Sequence, residues 1–90
     1  MIKLNDPTLF RTENYVNGEW IGGSGDHIEV LNPANGTLVA KTVDGSAADA
    51  RGAVEAAAVA FKSWSKMPAK QRASYLRKWY ELILENADDL

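Results

Sequence analysis

In the first half of the chain, apolar residues come in short runs broken by turn residues, whereas in the second half they recur every three or four positions. The period changes at Asp44-Gly45-Ser46. Before this point the pattern predicts strands. Tyr15-Val16 and Glu19-Trp20-Ile21 flank Asn17-Gly18, a two-residue loop whose residues tolerate the positive φ that a type I′ turn needs at both central positions. Gly22-Gly23-Ser24-Gly25-Asp26 reads as a loop, His27 to Leu31 as a third strand, Asn32-Pro33-Ala34-Asn35-Gly36 as a turn and Leu38 to Val43 as a fourth strand. Two hairpins in sequence suggest one small antiparallel ribbon.

After Asp44 the pattern predicts helices. Ser46, with Asp49 three residues on, is close to a capping box and sets a carboxylate at the positive end of the helix dipole. Eight of the fifteen residues from Ala47 to Phe61 are alanine, the strongest helix former. A stripe of Ala47, Ala50, Val54, Ala57, Phe61 and Trp64 follows helical spacing, and its small members allow close packing. Lys62 and Lys66 suit the end of this helix, and Pro68, a residue that fits well at a first helical position, punctuates the break before a second one from about Ala69 to Glu85. The second helix has Ala73, Leu76, Trp79, Tyr80, Ile83 and Ala87 on one face. Tyr75, Leu82 and Leu84 extend the apolar surface well beyond the usual stripe of about 100°. An alanine-rich neighbour cannot cover so much. Asn86-Ala87-Asp88-Asp89-Leu90 resembles in composition the start of a further helix, without a C-cap, and suggests that the chain is truncated after Leu90. The fold class expected is therefore α+β: an arm at 1–13, two antiparallel hairpins at 14–45, and two or three helices at 46–90.

Composition narrows the functional classes. Ninety residues can hold one small domain, and a chain of this size buries about 60–65% of its unfolded surface even when compact. The absence of cysteine excludes disulfides, thiolate metal sites and a thiol nucleophile within these residues. At 46% hydrophobic and 24% charged residues, the chain is too apolar for a disordered tail. A net charge of −2 argues against a dedicated nucleic-acid binder. Charge and proline interrupt the first residues before any signal-like apolar region, and no run approaches the roughly 18 apolar residues of a membrane span. The default expectation is a cytoplasmic protein with no membrane or nucleic-acid partner.

The candidate motifs are weak when taken singly. Gly22-Gly23-Ser24-Gly25 is followed by a strand, not a helix, and lacks both a following Lys-Ser or Lys-Thr and the third glycine of a dinucleotide fingerprint, so it reads as a plain loop. His27 has no cysteine or second histidine to share a metal and reads as a surface or strand-edge residue. Lys62, Lys66, Lys70, Arg72, Arg77 and Lys78 interleave with Trp64, Tyr75 and Trp79, a mixture able to bind phosphate and stack bases. At helical spacing, however, the aromatics fall on the apolar face and leave the charges as a solvated one. Asn35-Gly36-Thr37 is a turn that happens to match a glycosylation sequon. The carboxylates, Asp88-Asp89 included, show no pairing for acid–base or metal chemistry. No catalytic, cofactor-binding or metal-binding residue is assigned.

The order of these segments resembles the N-terminal part of the aldehyde dehydrogenase superfamily. Tyr15-Val16-Asn17-Gly18-Glu19-Trp20 is similar to that family's opening hairpin, and Val30-Leu31-Asn32-Pro33-Ala34-Asn35-Gly36 to its Asn-Pro-Ala-Thr-Gly turn, with Asn35 where threonine is common. Asp49, Phe61-Lys62-Ser63-Trp64, Arg72-Ala73-Ser74-Tyr75-Leu76-Arg77-Lys78 and Asp88-Asp89-Leu90 continue the likeness through the helices. Lys3-Leu4-Asn5-Asp6-Pro7 with Leu9-Phe10-Arg11 further resembles the succinate-semialdehyde dehydrogenase branch.

The resemblance implies an enzyme that oxidises an aldehyde to the acid with NAD or NADP, through a cysteine thiolate, hydride transfer and a glutamate base. In that family these groups, the oxyanion-stabilising asparagine and the dinucleotide site all lie further along the chain, so the 90 residues are expected to be inactive alone. Some members hold a monovalent cation on the carbonyls before the Asn-Pro turn, positions Val30 and Leu31 here, but no such site is assigned to this chain. The expected partners are the remainder of its own chain, against whose cofactor-binding domain the helices would pack, a small aldehyde, and further copies in a homo-oligomer. The rival expectation is a complete small α+β interaction domain that uses Tyr75, Trp79 and Tyr80 as its contact surface.

Overall fold

The computed structural model describes residues 2–22 and 25–90, so the expected Gly22–Asp26 loop lies partly outside the described residues, at Gly23 and Ser24. A short 3-10 turn, η1 (Pro7–Leu9), precedes strands β1 (Asn14–Val16), β2 (Glu19–Ile21), β3 (His27–Leu31) and β4 (Leu38–Val43). Helices α1 (Ala47–Trp64) and α2 (Ala69–Glu85) follow. The architecture is the α+β arrangement read from the pattern. The turn η1 was not anticipated, although Asp6-Pro7 carries its signal: the Asp6 side chain caps the Thr8 N–H and proline takes the first turn position.

The first hairpin pairs Val16 with Glu19 and Tyr15 with Trp20 across the loop. Asn17 at φ 51° and Gly18 at φ 77° supply the positive dihedrals that a two-residue turn requires. In the second hairpin Val30 faces Ala40 while Leu31 faces Leu38, so Val39 is an extra residue that bulges β4. The connecting turn is closed by Asn32 and Thr37, whose backbone N–H and C=O bond at 2.7 Å. Asn35 steadies the turn, its Oδ1 accepting from the N–H and hydroxyl of Thr37.

The hairpins form two separate two-stranded sheets, not the single ribbon expected. The Asp44 N–H donates to the Asp26 carbonyl at 2.9 Å and so extends the second hairpin by one pair, while the Val43 N–H donates at 3.0 Å to the carbonyl of Thr12, which precedes the first hairpin. Gly25 sits so close to the open end of the second hairpin that a Cβ there would lie 2.8 Å from the Asp44 carbonyl oxygen. A side chain at this position would force Gly25 away from the Asp44 backbone.

Ser46 and Asp49 close a complete capping box on α1: the Ser46 N–H donates to the Asp49 carboxylate at 2.8 Å and the Asp49 N–H donates to Ser46 Oγ at 3.2 Å. Pro68 stands directly before α2, at the break expected for it. Its φ of −54° and ψ of 143° are those of an N-cap, and its carbonyl accepts the first helical bonds from Gln71 and Arg72. The end of α2 differs from expectation. Asn86 caps it, donating its backbone and side-chain N–H groups to the Leu82 carbonyl, and residues 86–90 fold back as a turn in which Asp89 and Leu90 bond to the Asn86 carbonyl. No third helix forms among the described residues.

Candidate functional site

Among the described residues none is buried, hydrophobic or polar. The chain exposes 7521 Å², where a compact protein of this mass would expose about 5200 Å². Its radius of gyration is 16.6 Å, against about 12 Å for a compact domain of the same length. What the elements present is apolar surface without a core beneath it.

This surface has two parts. The first is a groove between the first hairpin and α1, with a volume of about 620 Å³, floored by Ala50, Ala53 and Ala56 and walled by Tyr15, Val16 and Ile21. A shallower extension of about 240 Å³ runs on past Ala57 and Ala60. The expected α1 stripe therefore divides: its Ala50 and Ala57 face the hairpin, while Val54 and Phe61 point away and are 68% and 63% exposed. The small side chains allow the hairpin to approach but leave the space between only partly filled.

The second part is α2. Leu76, Trp79, Ile83 and Leu84 are all exposed, Trp79 at 63%. Trp64 and Tyr75 bring their rings to 6.0 Å across the α1–α2 junction, yet this tilted pair covers little of the face. The basic residues on this helix are partly engaged locally. Arg77 lies 3.5 Å from the Glu81 carboxylate and 5.2 Å from the centre of the Tyr80 ring. Arg72 departs from the solvated face expected for it: it is half-buried, and its Nε is cut off from solvent without an acceptor.

Elsewhere the polar groups serve the fold. His27 begins β3, exposed, opposite Val43. Glu29 and Lys41 face each other across the second hairpin at 3.9 Å, both more than half exposed, a pairing of little energetic weight. Asp89, to which the sequence assigned no acid–base or metal chemistry, accepts from the backbone N–H of Asn5 and of Asp6. Among the described residues no three histidine, aspartate or glutamate side chains gather in a way that could hold a metal ion. No described helix is long and apolar enough to cross a membrane.

Comparison with known proteins places this surface in context. The chain is 42% identical over 90 residues to the glutarate-semialdehyde dehydrogenase of Pseudomonas putida and to the succinate-semialdehyde dehydrogenase [NADP(+)] of Escherichia coli, with 99% of this chain covered in each case. The crystal structure of an aldehyde dehydrogenase from Brucella melitensis biovar abortus 2308 superimposes with a TM-score of 0.94 at 42% identity over 99% of the chain. The chain spans 19% of the length of each of these proteins. An apolar surface left open on 90 residues is what a segment of a much larger fold presents. The aldehyde dehydrogenase family matches residues 20–90, from the end of β2 through the second hairpin and both helices, and the chain belongs to that family.

Proposed function

We propose that these residues are the N-terminal scaffold of an NAD(P)-dependent aldehyde dehydrogenase that oxidises succinate semialdehyde or a related semialdehyde, and that the chemistry lies in the rest of the enzyme. The observation that carries this reading is the open apolar surface of the groove and of α2 on a chain with no buried described residue. Burial of one large apolar side chain contributes about 1.5–3 kcal/mol, so covering Leu76, Trp79 and Ile83 alone is a strong drive to pack on a further layer. In this reading that layer is the cofactor-binding domain of the same enzyme, which assembles as a homo-oligomer. A stand-alone interaction domain would need a core of its own, and the described residues supply none.

The described residues do not fit a nicotinamide dinucleotide. Pyrophosphate is held at a helix N-terminus fed by a glycine-rich turn. Here the glycine-bearing segment leads into β3, and at α1 the N-terminus already holds the Asp49 carboxylate, which would repel a phosphate. No step of the oxidation is therefore assigned to this segment. The sequence likeness is equal for relatives named for glutarate and for succinate semialdehyde, substrates one methylene apart, which accords with a scaffold that does not touch the aldehyde.

The test is reduction of NAD or NADP with succinate semialdehyde, followed at 340 nm for the 90-residue chain and for the full-length protein. Turnover by the full-length protein and none by the 90-residue chain is the expected result. Turnover by the short chain, or failure of the full-length protein to oxidise any semialdehyde, overturns the proposal.

A further inference from the structure

The arm that precedes the first hairpin is tied down at three points on three different elements. Its Asn5 and Asp6 N–H groups donate to the Asp89 carboxylate just beyond α2, at 2.8 and 2.9 Å. The Arg11 guanidinium lies 4.8 Å from the centre of the Trp20 ring on β2, with its Nε donating to the Thr8 carbonyl at 3.0 Å. The Thr12 carbonyl accepts from Val43 at the end of β4. Among the described residues no buried side chain packs α2 against the hairpins, so within this segment these directional contacts tie the end of α2 to them.

We infer that residues 5–12 form a strap that couples the terminal turn of α2 to both hairpins, latched by the Asp89 carboxylate. The latch has the chemistry for this. Two successive backbone N–H groups meet the two oxygens of one carboxylate, an arrangement stronger than neutral hydrogen bonds and specific to an acceptor with two free oxygens. The Asp6 carboxylate is turned away onto Thr8, which leaves its own N–H to Asp89. Asp89 is only half-buried, so water competes for it and the latch can open without the rest unfolding. Opening releases the arm and loosens residues 86–90 together. The inference is independent of the activity proposed above, because its readout is protection and not turnover.

Hydrogen exchange of the full-length protein tests it. In the unsubstituted protein the Asn5 and Asp6 amides are protected, and Asp89→Asn, which replaces one acceptor oxygen with a donor, speeds their exchange and that of residues 86–90 by about 10- to 100-fold. The exposed neighbour provides the control, and Asp88→Asn leaves both segments unchanged. Should Asp89→Asn fail to fold, Asn5→Pro removes one donor from the other side of the latch and produces the same paired loss at Asp6 and 86–90. Where both variants fold, combining them adds nothing to the exchange seen with Asp89→Asn. Free-peptide exchange at Asn5 and Asp6 in the unsubstituted protein, exchange there indifferent to Asp89, or release of the arm with 86–90 still protected would each overturn the strap.

Discussion

The rings of Trp64 and Tyr75 lie 6.0 Å apart at an interplanar angle of 45°, joining the last residue of α1 to the second turn of α2. Between them the chain turns through Ser65 to Pro68, so the pair sets the angle at which α2 leaves α1. Aromatic pairs of this geometry contribute about 0.5–1.5 kcal/mol beyond their area. With both rings more than a third exposed, the lower part of that range is expected. A double-mutant cycle of Trp64→Ala and Tyr75→Ala in the full-length protein, read from urea midpoints, checks it. Strictly additive losses would show that the rings do not couple.

The capping box of α1 gives a second prediction. Ser46→Ala leaves the Asp49 N–H without its acceptor and is expected to cost about 1 kcal/mol. Ser46→Asp restores an acceptor at the same place and recovers most of the loss. Thermal unfolding of the two variants side by side makes the comparison, and equal losses in both would assign the effect to something other than capping.

Trp79 distinguishes the isolated chain from the assembled protein. With 63% of its surface exposed, Trp79→Ala in the 90-residue chain should change stability within about 0.5 kcal/mol. If the proposed second layer encloses it in the full-length protein, the same substitution should cost about 3–5 kcal/mol there, while Lys78→Ala beside it costs little. Activity per folded molecule should be preserved. Equal costs for Trp79→Ala in both contexts would mean that nothing covers α2.

The Asp6 carboxylate predicts a pH response of the arm. The Thr8 hydroxyl and then the Thr8 N–H, donating to Asp6 Oδ1 at 2.6 and 3.0 Å, hold its carboxyl below the ordinary value of 3.8. A group whose pKa is lowered by folding stabilises the fold above its unfolded value and loses that contribution as pH falls through the folded one. The η1 turn should therefore persist at pH 3.8 and fray only below it. The Thr8 amide resonance followed through an acid titration reports this midpoint, which should vanish in Asp6→Asn. A midpoint above 3.8 would contradict the geometry.

What the amino-acid order determined by itself is the set of elements whose hydrogen bonds close within about four residues. Asn17-Gly18 can hardly do other than turn at positive φ, Ser46 and Asp49 reach each other's backbone across one helical turn, and alanine fills α1 because it opposes helix formation least. At the helix ends local chemistry left more than one outcome. Pro68 suits the first helical position or the N-cap, and only the extended ψ imposed by the α1–α2 turn chose the cap. Asn86 and the acids after it suit a helix start as well as the end of one, and the free Leu82 carbonyl made Asn86 a cap.

Tertiary structure alone decided the separation of the hairpins into two sheets and the partner of Asp89, 84 residues away from Asn5. A carboxylate's identity does not say which N–H groups will be brought to it, because that depends on the path of every residue between. The candidate surface was legible in part for the same reason. The breadth of apolar positions on α2 is a property of spacing and could be read directly, whereas the groove exists only because the first hairpin lies against the alanines of α1.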